Sequence, residues 1–259
     1  MLIGKRGEAK SAICTADETS ITMRGRDLCN ELMGHVSFTE FFFLHVTGQQ
    51  PTDDQIFFLD AVLVSLAEHG MTPSVQAARM TYAAAPEALQ GAVSAGILGC
   101  GSVILGSAEV VSGFLATGTT RILAGQEREA VAHDMVTAIR AAKRPLPGFG
   151  HPIHSPVDPR AVRLLQLARE RGVAGAHVDF LGAVERAVDE IYPRHLPMNV
   201  NAAILAVALD IDFPMAAIKG ISILARTAGL IGHMAEESAR PTGFYMASQG
   251  AAAIDYDGG

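Results

Sequence analysis

Lysine is almost missing from this chain: of 20 basic residues only Lys5, Lys10, Lys143 and Lys219 are lysines. GC-rich codon usage explains most of that bias, yet arginine is also the side chain that grips carboxylates and phosphates bidentately. Positive charge as a whole is short. The net charge of −7 argues against a nucleic-acid surface. Cysteine occurs only as Cys14, Cys29 and Cys100. An odd number at wide spacing makes neither a disulfide framework nor a metal pattern, fits a reducing cytoplasm, and leaves buried, inert thiols as the expectation. No apolar run reaches the roughly 18 residues of a membrane span, although Val200 to Ile211 and Gly96 to Leu105 are strongly apolar. The opening MLIGKRGEAKSAICTADE has no apolar signal core. No membrane is therefore expected, and a cytoplasmic location is. Strand signals are equally sparse, with only Ser20 to Met23 reading as a short hairpin edge.

Helices remain. The 259 residues are 49% hydrophobic and 18% charged, enough for a large core. Apolar positions recur at helical spacing over Asp53 to His69, from the Pro73-Ser74 cap to Tyr82, and over Pro86 to Leu98 and Gly125 to Lys143. The same spacing runs over Pro159 to Arg171, Ala176 to Tyr192, Met198 to Leu209 and about Pro214 to Ser238. Abundant alanine favours helix throughout. The reading is an all-α protein with short loops and a polar tail after Met246. Gly/Ser-rich breaks at 99–107 and 144–150 mark where a second helical domain is expected to hinge.

One stretch has the look of a site. In LPGFGHPIHSPVDPRA, residues 146–161, His151 follows a Gly-Phe-Gly turn, where glycine permits close approach of a ligand to the main chain. Asp158-Pro159 is a helix start, with Asp158 as N-cap and Pro159 at the first helical position. Arg160 then lies in a first turn that favours anions. His154, three residues after His151, suggests a metal pair, but one pair without further ligands predicts no metal. His69, before Gly70 at a helix end, is by itself a good C-terminal cation. His233 reads as a core histidine. Arg226 lies mid-helix among apolar residues and needs a partner, either a substrate carboxylate or a structural aspartate. Arg79 and Glu109 have no evident role.

Several stretches, in order, resemble the citrate synthase superfamily, and within it most closely the short citryl-CoA lyases and the lyase module of ATP-citrate lyase. RGRDLCNELMGHVSFTEFFFLHVTGQQPT is similar to the family's opening helices, and AEHGMTPSVQAARMT to its DHG segment. GFGHPIHSPVDPRA is similar to GxGH…DPRA, the most specific match; LPMNVNAAIL, ISILARTAGLIGHMAEE and RPTGFY follow. The resemblance spans about residues 20–245. It implies an all-α dimer or higher homo-oligomer, and apolar helices across 74–117 agree with that. A large domain (1–106 and 211–259) would flank an inserted small domain (107–210) that holds the GFGH loop, with the active site in the cleft. It implies a reaction at the carbon–carbon bond beside a CoA thioester, with His69 and His151 binding the oxo-acid or its alcohol. Pro147, Gly148, Phe149 and Gly150 would bind the CoA adenine along the main chain. Arg160, Arg226 and, from the partner subunit, Arg240 would bind carboxylates. CoA thioester enters as substrate; no permanently bound cofactor and no metal are implied.

The chain departs from the family at informative places. The family's synthases have a histidine in an HGGAN-like turn; here the turn reads Leu105-Gly106-Ser107-Ala108-Glu109. The lyase modules also lack that histidine, so a citryl-CoA lyase, giving acetyl-CoA and oxaloacetate, is expected over a synthase. The family's NVD aspartate, which shuttles a proton at the acetyl carbon, is Asn201, and an amide exchanges no such proton at ordinary pH. Losing a general acid–base removes on the order of 10²–10⁴ in rate, roughly 3–6 kcal/mol of barrier. Asp210 and Asp212 lie too far round or along the helix to replace it. The family's cations after the GFGH histidine are Pro152 and Ser155 here. A shifted 3-hydroxyacyl-CoA substrate is one consequence; the alternative is a catalytically degenerate paralogue that binds CoA or an organic acid in a regulatory or partner role.

Overall fold

The structure, a computed structural model, describes residues 9–101, 107–150 and 154–258. The chain divides into two compact units, residues 1–60 and 61–259. The first begins with the expected hairpin edge enlarged to a three-stranded antiparallel sheet: β1 (Cys14–Ala16), β2 (Ile21–Met23) and β3 (Arg26–Asp27), in that order. A π-helical turn, Leu28–Leu32, follows, capped by Asp27, whose carboxylate accepts the N–H groups of Cys29 and Asn30. Then come α1 (Phe38–Thr47) and the start of α2 (Asp53–Ala67), joined by a hydrogen bond between Thr39 and Asp60. Cys14 and Cys29 are exposed in this unit, against the expectation of buried thiols. Short edge strands and a single turn of helix bury too little to cover them. Cys100, in the larger unit, is buried as expected.

The second unit is helical: α3 (Pro73–Ala84), α4 (Leu89–Leu98), α5 (Ser107–Leu123), α6 (Arg128–Ala141), α7 (Pro159–Glu170), α8 (Ala176–Ile191), α9 (Val200–Asp210), α10 (Ile218–Ala239) and α11 (Gly243–Ala253). Pro86 does not open α4 as expected; it sits in a turn closed by the Ala88 N–H on the Ala85 carbonyl, and the helix starts at Leu89. α11 escapes the sequence reading, and α5, read only as far as residue 117 within the apolar helices across 74–117, runs on to Leu123. The supposed polar tail after Met246 forms most of α11, whose first residue, Gly243, is pressed onto α3.

α9 is the centre. Its sequence VNAAILAVALD is apolar on every side but for Asn201 and the terminal Asp210, so it must be surrounded. α5, α7 and α8 surround it. Asp210 supplies the cap of α8: its carboxylate accepts the N–H groups of Gly175 (2.8 Å), His177 (3.0 Å) and Val178 (3.0 Å) and contacts His177 Nδ1. Asp210 is thus committed to α8, as its distance from Asn201 along the helix required.

α10 rests on α3 and α4. By length and composition it is apolar enough to cross a membrane, yet it buries Ile218, Ile221, Ala225, Leu230 and Met234 within this unit. Its C-terminal end explains Arg79. That arginine is 4% exposed and donates to Glu237 (2.9 Å) and Glu236 (2.8 Å), while Glu237 accepts the backbone N–H groups of Thr242 and Gly243. One buried ion pair thereby joins α3, α10 and α11.

Breaking a buried pair strands a charge, so Arg79→Met should lower stability by about 3–5 kcal/mol in urea unfolding. Stability unchanged from wild type would show the pair to be idle.

Candidate active site

The GFG turn and the start of α9 are one construction. Gly150 N–H donates to the Pro197 carbonyl at 2.7 Å, and Asn199 N–H donates to the Gly148 carbonyl at 2.9 Å, around a Phe149–Met198 bridge. Gly148 and Gly150 have φ of +81° and +88°, the left-handed region open to glycine. At Gly148 a second constraint appears: a Cβ would lie 2.6 Å from the Ala202 Cβ. Its small size serves the packing of α9, beyond the ligand approach expected from the sequence.

Asn199 caps α9, its Oδ1 accepting the N–H groups of Asn201 (3.1 Å) and Ala202 (3.3 Å) while its Nδ2 donates to the Gly150 carbonyl at 3.2 Å. The remaining first-turn donor, Val200 N–H, is taken at 3.0 Å by Asp158. Asp158 is fully buried and caps α7 as expected, but it serves both helices. Its carboxylate also holds Arg160, whose Nε lies 3.1 Å and Nη2 2.9 Å away. Burial raises the Asp158 pKa, but Arg160 and the two backbone donors outweigh it, and the group stays below its ordinary value. Asn201, one residue on, is half-buried at the α9 N-terminus.

The far wall is α10 with the end of α2. A Cβ at Gly229 would lie 1.9 Å from the Ala67 carbonyl oxygen, so only glycine admits the end of α2 this close to α10. Glu68 follows: it accepts the N–H groups of His69 (2.8 Å) and Gly70 (2.5 Å), and its Oε2 lies 2.8 Å from His233 Nε2. His233, read from the sequence as a core histidine, is partly buried and in contact with the carboxylate at this helix end. His69 stands over His154, ring centroids 5.8 Å apart. His154 thus faces an imidazole from the segment just after α2, a pairing that sequence spacing could not reveal. Among the described residues no cluster of three or more His, Cys, Asp or Glu has metal-site geometry.

Arg226 shares this face of α10, one turn before Gly229. It forms no hydrogen bond or ion pair with any described residue. Burial lowers its pKa, and neighbouring Arg160 lowers it further, against attraction from Cys100 and Glu68. Among the described residues no aspartate claims it, so of the two partners the sequence left open the structural one is not found there. Arg240 caps α10 and is exposed. Glu109 pairs with Lys219 on the surface at 3.3 Å. His151 lies outside the described residues.

Beside the GFG turn, α5, α6 and residues 144–149 line an open cavity of about 930 Å³, with walls that include Val111, Phe114, Ile139 and Leu146 and a floor of Pro147, Gly148 and Phe149. That size suits a nucleotide-sized ligand. The sequence marked the floor but not α5 or Arg144.

The profile of the citrate synthase C-terminal domain matches residues 22–242. A putative citrate synthase 2 of Mycobacterium tuberculosis is 30% identical over 213 residues, 76% of this chain and 53% of its own length, so the chain spans about half the length of the curated relatives it matches. The solved citryl-CoA lyase of Hydrogenobacter thermophilus superposes with a TM-score of 0.81 at 30% identity, covering 90% of this chain and 88% of that one. The ATP citrate lyase of Methanothrix soehngenii, solved with citrate and coenzyme A, shares the fold at a TM-score of 0.75 and 19% identity, over 92% of this chain and 40% of that one.

The carboxyls of Asp158, Asp210, Glu68 and Glu237 are all depressed, because hydrogen bonds and cations outweigh a burial effect that alone would raise them. Groups that titrate lower in the fold than in the unfolded chain give stability that is full above the unfolded values and lost as pH falls through the folded ones. Unfolding free energy should thus hold from neutrality to about pH 4.5 and fall steeply below. Asp210→Asn, with one such group removed, should start lower at pH 7 and fall less between pH 5 and 3; a parallel curve would refute the assignment.

Proposed function

This chain belongs to the citrate synthase family, and on that footing we propose that it is a carbon–carbon lyase splitting citryl-CoA into acetyl-CoA and oxaloacetate. The observation that carries the reading is Arg226, a half-buried guanidinium without a hydrogen-bonded acceptor among the described residues, beside Arg160 and the Glu68-His69 helix end. A substrate carboxylate supplies the missing acceptor in paired, charge-assisted geometry. The likeness to a citryl-CoA lyase at 30% identity over most of both chains supports lyase over synthase, as does the lack of a histidine in the sequence at 105–109.

In this reading His69 and His151 bind the acid, and one of them takes the proton of the tertiary hydroxyl. The O–H electron pair becomes the new C=O, the carbon–carbon pair leaves as the enolate of the acetyl thioester, and the enolate carbon then takes a proton from water or from the histidine that accepted the hydroxyl proton. Asn201 cannot deliver that proton; its amide is suited to hydrogen-bond the enolate oxygen. The same chemistry extends to a shifted 3-hydroxyacyl-CoA. CoA lies along Pro147 to Gly150 and into the adjoining cavity. The domain division at 106/107 and 210/211 belongs to this reading, as does a cytoplasmic setting, where the exposed thiols of Cys14 and Cys29 stay reduced. So does a homodimer: α10 leaves Ile223 and Ile231 exposed and α4 leaves Leu98, an apolar face for a second copy, which would lend Arg240.

Purified protein given citryl-CoA should release oxaloacetate, followed through coupled NADH oxidation. Arg226→Met should reduce kcat/KM by roughly 10²-fold, the scale of a lost charged contact to substrate. Asn201→Asp should raise the rate if enolate protonation is limiting. A silent wild type with an active Asn201→Asp would mean that the native substrate has moved. Silence from both, in folded protein, would favour the degenerate, ligand-binding paralogue.

A further inference from the structure

The cavity beside the GFG turn has two guanidiniums in its wall, Arg121 from α5 and Arg144 from the loop, against one carboxylate, Asp134 from α6. The two arginines are placed differently. Arg121 is already held, its Nη1 2.7 Å from Asp134 and its Nε 3.0 Å from Gln126 Oε1. Arg144 has its main chain fixed and its side chain unclaimed: the backbone N–H donates to the Ile139 carbonyl at 3.2 Å, and the guanidinium forms no hydrogen bond with a described residue.

The backbone that aims Arg144 is unusual. α6 ends in a turn where Lys143 takes the left-handed conformation, φ +54°, and the next N–H reaches back to Ile139. Glycine normally fills that position, because a Cβ there costs about 1–2 kcal/mol. Cations at the end of α6 are accounted for by the helix dipole, and Arg140 is stacked on the Tyr192 ring at 5.5 Å. Arg144, past the helix, turns into the cavity wall instead.

We propose that Arg144, flanked by the fixed Arg121, is the phosphate anchor of this cavity, so that the charged end of a CoA thioester is held from the segment before the GFG turn rather than from the segment after it. This rests on the CoA-thioester reading above. Two guanidiniums against one carboxylate leave the wall with an excess positive charge, matched to a ligand with several phosphate charges, while Pro147 to Phe149 and the apolar helices receive the adenosine.

Calorimetric titration with CoA and with dephospho-CoA tests it. Wild type should bind CoA, and Arg144→Ala should weaken that binding by roughly tenfold, with Arg144→Lys intermediate, since one charge-assisted contact is lost and then partly restored. The wild-type affinity should fall with added salt, and less steeply in Arg144→Ala. If dephospho-CoA binds wild type and Arg144→Ala equally, the contact is to the 3′-phosphate; if it loses as much as CoA does, the contact is to the pyrophosphate. Either supports the anchor. CoA binding by wild type that is unchanged in Arg144→Ala, with matching thermal unfolding, overturns the anchor alone. Failure of wild type to bind CoA at all overturns the CoA reading with it.

Discussion

A carboxylate removed from water must find its hydrogen bonds inside the protein, and Asp158 finds all of them at the candidate site. One oxygen serves the α7 N-terminus, the other the α9 N-terminus, and both are shared with Arg160. Two helix starts and one guanidinium are thereby fixed relative to each other by a single side chain. Asn199 completes the set from the α9 side and, through Gly150, ties it to the GFG turn. The first turn of α9 is left with no free donors at Val200, Asn201 or Ala202. An incoming anion must therefore be met by side chains, and the two guanidiniums near this point are Arg160, already shared, and Arg226, which is not.

That division of labour bears on Asn201. Asp158 is held below its ordinary pKa by Arg160 and by the N–H groups of Arg160 and Val200, and Asn201, next after Val200, brings no charge of its own to this helix start. A neutral group at this place suits the stabilisation of a developing oxyanion better than proton abstraction from carbon. The ring pair of His69 and His154 lies at the same helix end as Glu68, so imidazole rather than carboxylate is the titratable chemistry concentrated there.

Much of this was legible in the sequence because it is local. The Asp158-Pro159 start, the scarcity of strands, the long helices and the glycines of the turn follow from residues within a few positions of one another. What was hidden is long in sequence and short in space. The Asp158–Val200 bond spans 42 residues, and Arg79 meets Glu237 across 158. No periodicity announces either, which is why Arg79 had no role until the fold supplied one. The end of α5 was hidden for another reason: Gly118 and the threonines Thr117, Thr119 and Thr120 lower its helix propensity, and burial against α8 and α9 forms it regardless. α11 is short of apolar residues on any one face, so its docking through Gly243 onto α3 left no pattern to read.

The contact of Gly229 with the Ala67 carbonyl has a meaning beyond packing. On one face of α10, Arg226, Gly229 and His233 succeed one another at one-turn intervals, and the end of α2 touches the last two. The distance from the His69 segment to the Arg226 guanidinium is thus set where two backbones meet, with no side chain between them to be trimmed or lengthened. Residue 229 works as a fixed gauge. Under the proposed reading, in which His69 and Arg226 hold the acid, it would decide how long that acid can be, and a shift to a longer substrate would have to begin by moving helices rather than by exchanging the residues that hold it.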